Sequence, residues 1–203
     1  MISNSTGSGT GTGTVSVASG ATLGGTGIIT GTVSVSGVLS PGASVESFVT
    51  GALTMAAGSE FHYEVDSSAL PAVGADLQKV VDNGSLTFTG DVGLTMADLR
   101  AGGPVPFNTG DTFTLISYTG SKLGSGHFTN GVSGAVLNNG DTFTPVGGSQ
   151  QWQIAYDAAS GGLNFTTDYG SSNSFINITA IPEPRAALLG SLGLLALLRR
   201  RRK

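Results

Sequence analysis

Polarity alternates in short bursts along this chain, and the bursts recur. Thr-Gly-Thr-Val-Ser-Val occupies residues 12–17 and returns at residues 30–35, a spacing of 18. A looser copy, Thr-Gly-Ala-Leu-Thr-Met, runs from Thr50 to Met55, a further 20 residues on. Apolar side chains at every second position predict strands with one buried and one exposed face. Each burst leads into a turn of small residues: Ala18-Ser19-Gly20, Ser36-Gly37 and Ala56-Ala57-Gly58. A strand-turn unit of about 20 residues cannot bury its apolar face alone, so successive units must stack. The three copies are therefore expected on equivalent rungs, with Val15, Val17, Val33, Val35, Leu53 and Met55 pointing into one interior. Alternation by itself also fits antiparallel strands joined by hairpins.

Further strands are predicted at Leu77–Val81, Ser85–Thr89, Val92–Met96, Phe113–Tyr118, Trp152–Tyr156, Leu163–Thr167 and Phe175–Thr179. A second echo, Gly-Asp-Thr-Phe-Thr, occurs at Gly110–Thr114 and Gly140–Thr144, each after an Asn-containing turn. One short helical turn is expected over Met96–Ala101, ended by Gly102-Gly103-Pro104.

Composition sharpens this picture. The 33 glycines among 203 residues are about twice ordinary usage, and only 11% of residues are charged. Dense Gly with β-branched residues fits many short strands separated by tight turns. Charge is split along the chain. All 13 acidic residues lie at or before Glu183, where Lys79, Arg100 and Lys122 are the only bases, so residues 1–184 carry −10. Arg185, Arg199, Arg200, Arg201, Arg202 and Lys203 return +6. An acidic body repels phosphate, which argues against nucleic acid as a partner. The absence of cysteine excludes disulfides, thiol nucleophiles and thiolate metal sites.

The run from Gly31 to Val65, GTVSVSGVLSPGASVESFVTGALTMAAGSEFHYEV, resembles the autotransporter-associated β-strand repeats of secreted passenger domains. Later runs, ADLQKVVDNGSLTFTGDVGLTM, GDTFTLISYTG, GHF and WQIAY, resemble the closing part of such passengers. The resemblance spans about residues 10–168. It implies an all-β fold, a right-handed parallel β-helix or β-solenoid. The alternating ten-residue strands of a membrane β-barrel do not follow it in this sequence.

The C-terminal segment has a different character. Ile181-Pro182-Glu183-Pro184 is followed by Arg185, an apolar run from Ala186 to Leu198, and a basic cluster from Arg199 to Lys203. Prolines without backbone N–H favour an extended segment that a processing enzyme can grip. Leu and Ala then predict a single short hydrophobic helix over about Arg185–Arg199, joined to the body by a linker with few contacts. Thirteen residues give a helix of about 20 Å, short of a roughly 30 Å hydrocarbon core. That length suits a transient membrane stop, with arginines snorkelling at both ends and the basic end cytoplasmic.

This order resembles the PEP-CTERM sorting signal, the substrate of the membrane-embedded protease-transpeptidase called exosortase. Pro182, Glu183 and Pro184 match the family's sorting motif, and Arg199, Arg200, Arg201 and Arg202 match its basic cluster. The resemblance implies export, an inner-membrane intermediate, and delivery to the cell surface or extracellular matrix of an exopolysaccharide-producing bacterium. Export also calls for an N-terminal leader. Met1 to Gly7 instead begin in the middle of repeat-like sequence, so a truncated N-terminus with further coils and a signal peptide upstream is expected.

Catalytic chemistry is sparse. On a strand over Glu60–Asp66, Glu60, His62, Glu64 and Asp66 share one face, where they could bind metal or act as acid and base. The same alternation follows from a simple solvent-facing rung, which is the preferred reading. His127 lies in a Gly/Ser turn and reads as exposed. Trp152 and Tyr156 share a strand face and could stack on sugars, although core packing is the simpler reading. Asn138–Asp141 offers weak ion ligands but reads as a β-turn. The sequons at Asn4, Asn83, Asn164 and Asn177 arise by chance in a Ser/Thr-rich chain. No nucleophile elbow, P-loop or zinc-protease helix motif occurs, and the Gly-rich start, GSGTGTGT, lacks the strand and helix a dinucleotide loop needs.

The division expected is a β-repeat body over residues 1–180 and a sorting segment over 181–203. The body is read as a non-enzymatic structural protein without cofactor or metal, with exosortase, the inner membrane and exopolysaccharide as partners. Two alternatives stay open: a glycan-binding adhesin and a polysaccharide-active β-helix enzyme.

Overall fold

The computed structural model of the protein describes residues 1–68, 74–80, 84–100, 107–145, 148, 150–165 and 169–182. Among these every regular element is a β-strand, and no helix occurs. The helix expected over Arg185–Arg199, the motif residues Glu183 and Pro184, and the cluster Arg199–Arg202 lie outside the described residues.

Twelve strands come in four successive trios. The first is β1 (Val15–Val17), β2 (Thr22–Gly25) and β3 (Ile28–Ile29). The second is β4 (Val33–Val35), β5 (Val38–Pro41) and β6 (Ser47–Thr50), and the third β7 (Leu53–Met55), β8 (Glu60–Val65) and β9 (Leu77–Val80). The fourth is β10 (Leu86–Phe88), β11 (Val92–Asp98) and β12 (Thr112–Tyr118). Each trio adds one strand to each of three sheets, in the orders β1-β4-β7-β10, β2-β5-β8-β11 and β3-β6-β9-β12. Every neighbouring pair in these orders is parallel.

The repeat copies stack residue on residue. Val15 registers with Val33, Leu53 and Leu86 in turn, and Val17 with Val35, Met55 and Phe88. All of them enter one core; Val15, on the outermost strand, is only partly covered. Between them, Ser16, Ser34, Thr54 and Thr87 form the outer column. The repeat's glycine has a steric cause. A Cβ on Gly31 would stand 2.2 Å from the Gly13 carbonyl oxygen, and one on Gly51 2.5 Å from that of Thr30. Backbone meets backbone at this corner, so no side chain fits there.

The regular order ends after β12. Leu123 adds a single parallel bridge beside Thr87, and β13 (Phe128–Asn130) pairs in parallel with β11. From there the strands turn back. β14 (Val136–Leu137) is antiparallel to β13, while β17 (Ser174–Ile181), β16 (Gln151–Ala158) and β15 (Thr142–Phe143) extend the third sheet beyond β12, antiparallel throughout. Aromatic rings fill this end of the core: Phe88 meets Phe128 at 5.0 Å and Phe113 meets Trp152 at 5.9 Å between centroids.

Two sequence expectations need correction. Met96–Asp98 continue β11 and do not form a helical turn, because registration with Tyr63, Glu64 and Val65 of β8 satisfies their backbone. Leu163–Phe165 form a bend and turn, with Phe165 at φ 51, and not a strand. The cause is the side chain of Asn164.

Candidate functional site

Strand β8 carries the histidine and carboxylates singled out by sequence. Phe61, Tyr63 and Val65 are buried, while Glu60, His62 and Glu64 face outward. His62 Nε2 lies 2.9 Å from Glu60 Oε2 in an exposed pair. Across the sheet, Glu60 is flanked by Val38 and Gly93, His62 by Thr95 and Glu64 by Ala97. None of these flanking residues is acidic or basic, so the Glu60–His62 pair stands without a further ionisable neighbour among them. Asp66 lies past the strand, where the Ser68 hydroxyl and N–H hold its carboxylate below the usual range. No group of three or more His, Asp or Glu is placed to hold a metal ion among the described residues.

The other sequence candidates are occupied within the fold. Trp152 is buried, with Phe107 at 5.2 Å and Phe113 at 5.9 Å. The Tyr156 hydroxyl donates to the Leu137 carbonyl at 3.0 Å and accepts the Phe128 N–H at 2.8 Å. These two rings therefore form no exposed sugar platform. His127 is half-buried; its backbone N–H donates to Asp91 at 3.0 Å and its ring meets Tyr156 edge-on.

The two Gly-Asp-Thr-Phe copies prove to be one turn used twice. Asp111 Oδ2 accepts the backbone N–H of Asn108 at 3.0 Å, and Asp141 Oδ2 that of Asn138 at 2.8 Å. Each carboxylate also accepts its asparagine's amide, at 3.3 and 3.0 Å. Gly110 at φ 96 and Gly140 at φ 88 supply the left-handed residue. Their carboxylates serve the turns.

The densest polar cluster was not visible in the sequence. Asn164 is fully buried, and its amide behaves like a peptide unit inserted between β9 and β12. Its Oδ1 accepts the Thr114 N–H at 2.7 Å, while its Nδ2 donates to the carbonyls of Asp76 at 2.7 Å and Thr114 at 2.9 Å. Direct pairing of β9 with β12 covers only Gln78–Ile116 and Lys79–Ser117, so the amide bridges a gap in the ladder. Tyr63 reaches across the core to the Thr114 carbonyl at 3.1 Å. Tyr169 donates to the Asn164 carbonyl at 2.7 Å. Asn164 and Asn177 are both buried, so neither sequon is open to a glycosylating enzyme.

Beside this node, the buried carboxyl of Asp76 accepts the N–H of Glu46 at 3.0 Å and of Glu64 at 2.9 Å. Burial pushes its pKa up to about 8 against the pull of those donors, and the charges of Glu64 and Glu46 add to the rise. Tyr63 is raised as well, chiefly by burial and then by the charge of Asp76. A second cluster seals the end of the core. Lys122 Nζ donates to the carbonyls of Gly124 at 3.0 Å and Gly126 at 2.8 Å, and stands 5.4 Å from the centroid of the Phe88 ring. Burial lowers the lysine's pKa, partly offset by Asp157. Asp157, at φ 50, accepts the Tyr118 hydroxyl at 2.7 Å and the Lys122 N–H at 2.8 Å.

Of the residues expected to form a sorting motif, Pro182 alone is described. It is exposed and follows directly on Ile181, the last residue of β17. Ile181 registers with Gln151, and its carbonyl accepts the Gln150 amide at 2.9 Å. Comparison with protein-family models, curated proteins and solved structures gives no match.

Proposed function

We propose that this chain is an exported structural protein of the cell surface or extracellular matrix, sorted through residues 181–203. The observation that carries the reading is the order Pro182-Glu183-Pro184, apolar run, Arg199–Arg202, attached to a body of opposite charge. In this reading the apolar run enters the inner membrane transiently and the basic cluster stays cytoplasmic. The acidic body remains outside, and an exosortase-type protease-transpeptidase acts at the Pro-Glu-Pro motif. The exposure of Pro182 at the end of the folded body supports this assignment.

For the body, residues 1–180, the reading is a right-handed parallel β-helix serving as a scaffold without catalytic chemistry. Its support is the order of β1–β12, in which every third strand joins the same sheet in parallel and in register. Exopolysaccharide is the proposed environment. A glycan-binding role would need an aromatic surface, and burial of Trp152 counts against that pair as its platform. A polysaccharide-active enzyme would need proton-transfer groups beside Glu60 and His62, where Thr95 and Gly93 stand.

Mass spectrometry of the mature protein, from a host with the sorting machinery, tests the sorting reading. The Arg-rich tail is expected to be gone, and Glu183→Ala should retain it and hold the protein at the inner membrane. Mature surface protein still ending in Arg199–Lys203 would overturn it.

A further inference from the structure

The sorting motif follows the last hydrogen-bonded residue of the body without a spacer, and that strand is not an edge strand. β17 lies between β12 and β16 in the third sheet. Phe113 and Ile154 flank Ile178, Thr112 and Gln153 flank Thr179, and Trp152 and Gln151 register with Ala180 and Ile181. The backbone of Ala180 also exchanges two hydrogen bonds with the Asn108–Asp111 turn. Gly110 N–H donates to its carbonyl, and its own N–H donates to Asp111, both at 2.8 Å. Ile176, Ile178 and Ala180 are fully buried. The chain is thus held on both sides nearly to Ile181 and exposed at Pro182.

A protease binds its substrate as an extended segment, and a segment locked in a sheet becomes available only through local opening. Peeling β17 would break both ladders and expose these side chains. Reach is restricted as well. Residues 182–185 separate Ile181 from the apolar run, and four extended residues span at most about 14 Å. Before cleavage the body must therefore sit close against the membrane surface.

We infer that β17 acts as a stop that confines the processing enzyme to residues from Pro182 onward, so that the folded body itself slows its own release. This rests on the sorting reading above. It adds that the cut falls on the C-terminal side of Pro182, and that the spacing between Ile181 and the motif governs the rate.

Pulse-chase labelling in the sorting host tests this with six Gly/Ser residues inserted between Ile181 and Pro182. The same insertion in the exposed turn after Gly134 is the control. The first variant should lose its precursor several-fold faster than wild type, and the control should match wild type. Equal or slower processing of the first variant overturns the inference while leaving the sorting reading standing. Retention of the tail in every chain, wild type included, overturns the sorting reading instead. A second measurement needs no sorting enzyme. The purified full chain is digested briefly with a non-specific protease, and the fragment ends are read by mass spectrometry. Within residues 174–203, cuts should fall at Pro182 or later, and cleavage inside residues 174–181 under native conditions overturns the stop.

Discussion

At the scale of single residues, buried amides decide more than exposed charges. Asn164 satisfies the buried Thr114 N–H and the Asp76 carbonyl, and shares the Thr114 carbonyl with Tyr63. Leaving buried backbone groups unpaired costs about 1–3 kcal/mol each, so Asn164→Leu should cost about 4 kcal/mol. A shift in the urea midpoint at constant slope measures it. The opposite outcome is expected one rung away. Gln78 Nε2 donates to Thr50 Oγ1 at 3.0 Å inside the apolar core, while Gln78 Oε1 has no partner. The double replacement Thr50→Val/Gln78→Met should therefore be neutral or stabilising. Asp76 adds a pH dependence. Its folded pKa near 8 lies above the ordinary value of about 4, so the native state keeps the proton through that window while the unfolded chain releases it. Its contribution is full below pH ~4 and falls by up to about 1.4 kcal/mol per unit as pH rises to ~8. Asp76→Asn should flatten that slope in denaturation curves taken from pH 4 to pH 9.

At the scale of elements, the repeat was legible because its cause is local. Val15, Val33 and Leu53 alternate with polar residues on strands of three, and the Thr-Gly start marks the same corner each time. The fourth copy, Leu86-Thr87-Phe88, stood out less because residues 66–76 and 81–84 intervene, although its strand was expected. The role of Asn164 was illegible for the converse reason. Its partners, Asp76 and Thr114, are 88 and 50 residues away, so no spacing could announce them. The direction of β16 and β17 was equally hidden, since alternation looks the same in parallel and antiparallel strands. The corner glycines give a test within one motif. Gly31→Ala would drive a Cβ onto the Gly13 carbonyl, whereas Gly13→Ala meets nothing within 4 Å. The first should lower the unfolding midpoint strongly and the second leave it nearly unchanged, as thermal melts of the two variants would show.

At the scale of the whole molecule, the fold is graded from one end to the other. Strands β1, β2 and β3 each pair with a single neighbouring strand, and the residues that stack on them beyond are few. Ile2 bridges Gly25, Gly9 donates to Ile28, and Asn4 caps the Ile28 N–H. The apolar side chains of this first layer are aliphatic: Val15, Val17, Leu23, Ile28 and Ile29. At the other end, β12 and β17 are paired on both edges, and the core carries Phe113, Trp152, Phe128 and Phe88 with Lys122 across the opening. Burying an aliphatic or aromatic side chain contributes about 1.5–3 kcal/mol, and the larger rings also tie several strands together. In a stack where each layer rests mainly on its neighbours, opening starts at the layer with fewest partners. Amide hydrogen exchange should therefore be fastest in Val15–Val17, slower in Val33–Val35 and Leu53–Met55, and slowest in Thr112–Tyr118 and Ser174–Ile181. Met55→Ala, which removes a fully buried side chain from the third layer, should speed exchange in the first three layers and leave β12 and β17 protected. Uniform exchange across all layers, or equal loss of protection in β17, would show instead a single cooperative unit. In that case β17 would be no firmer than the rest of the body.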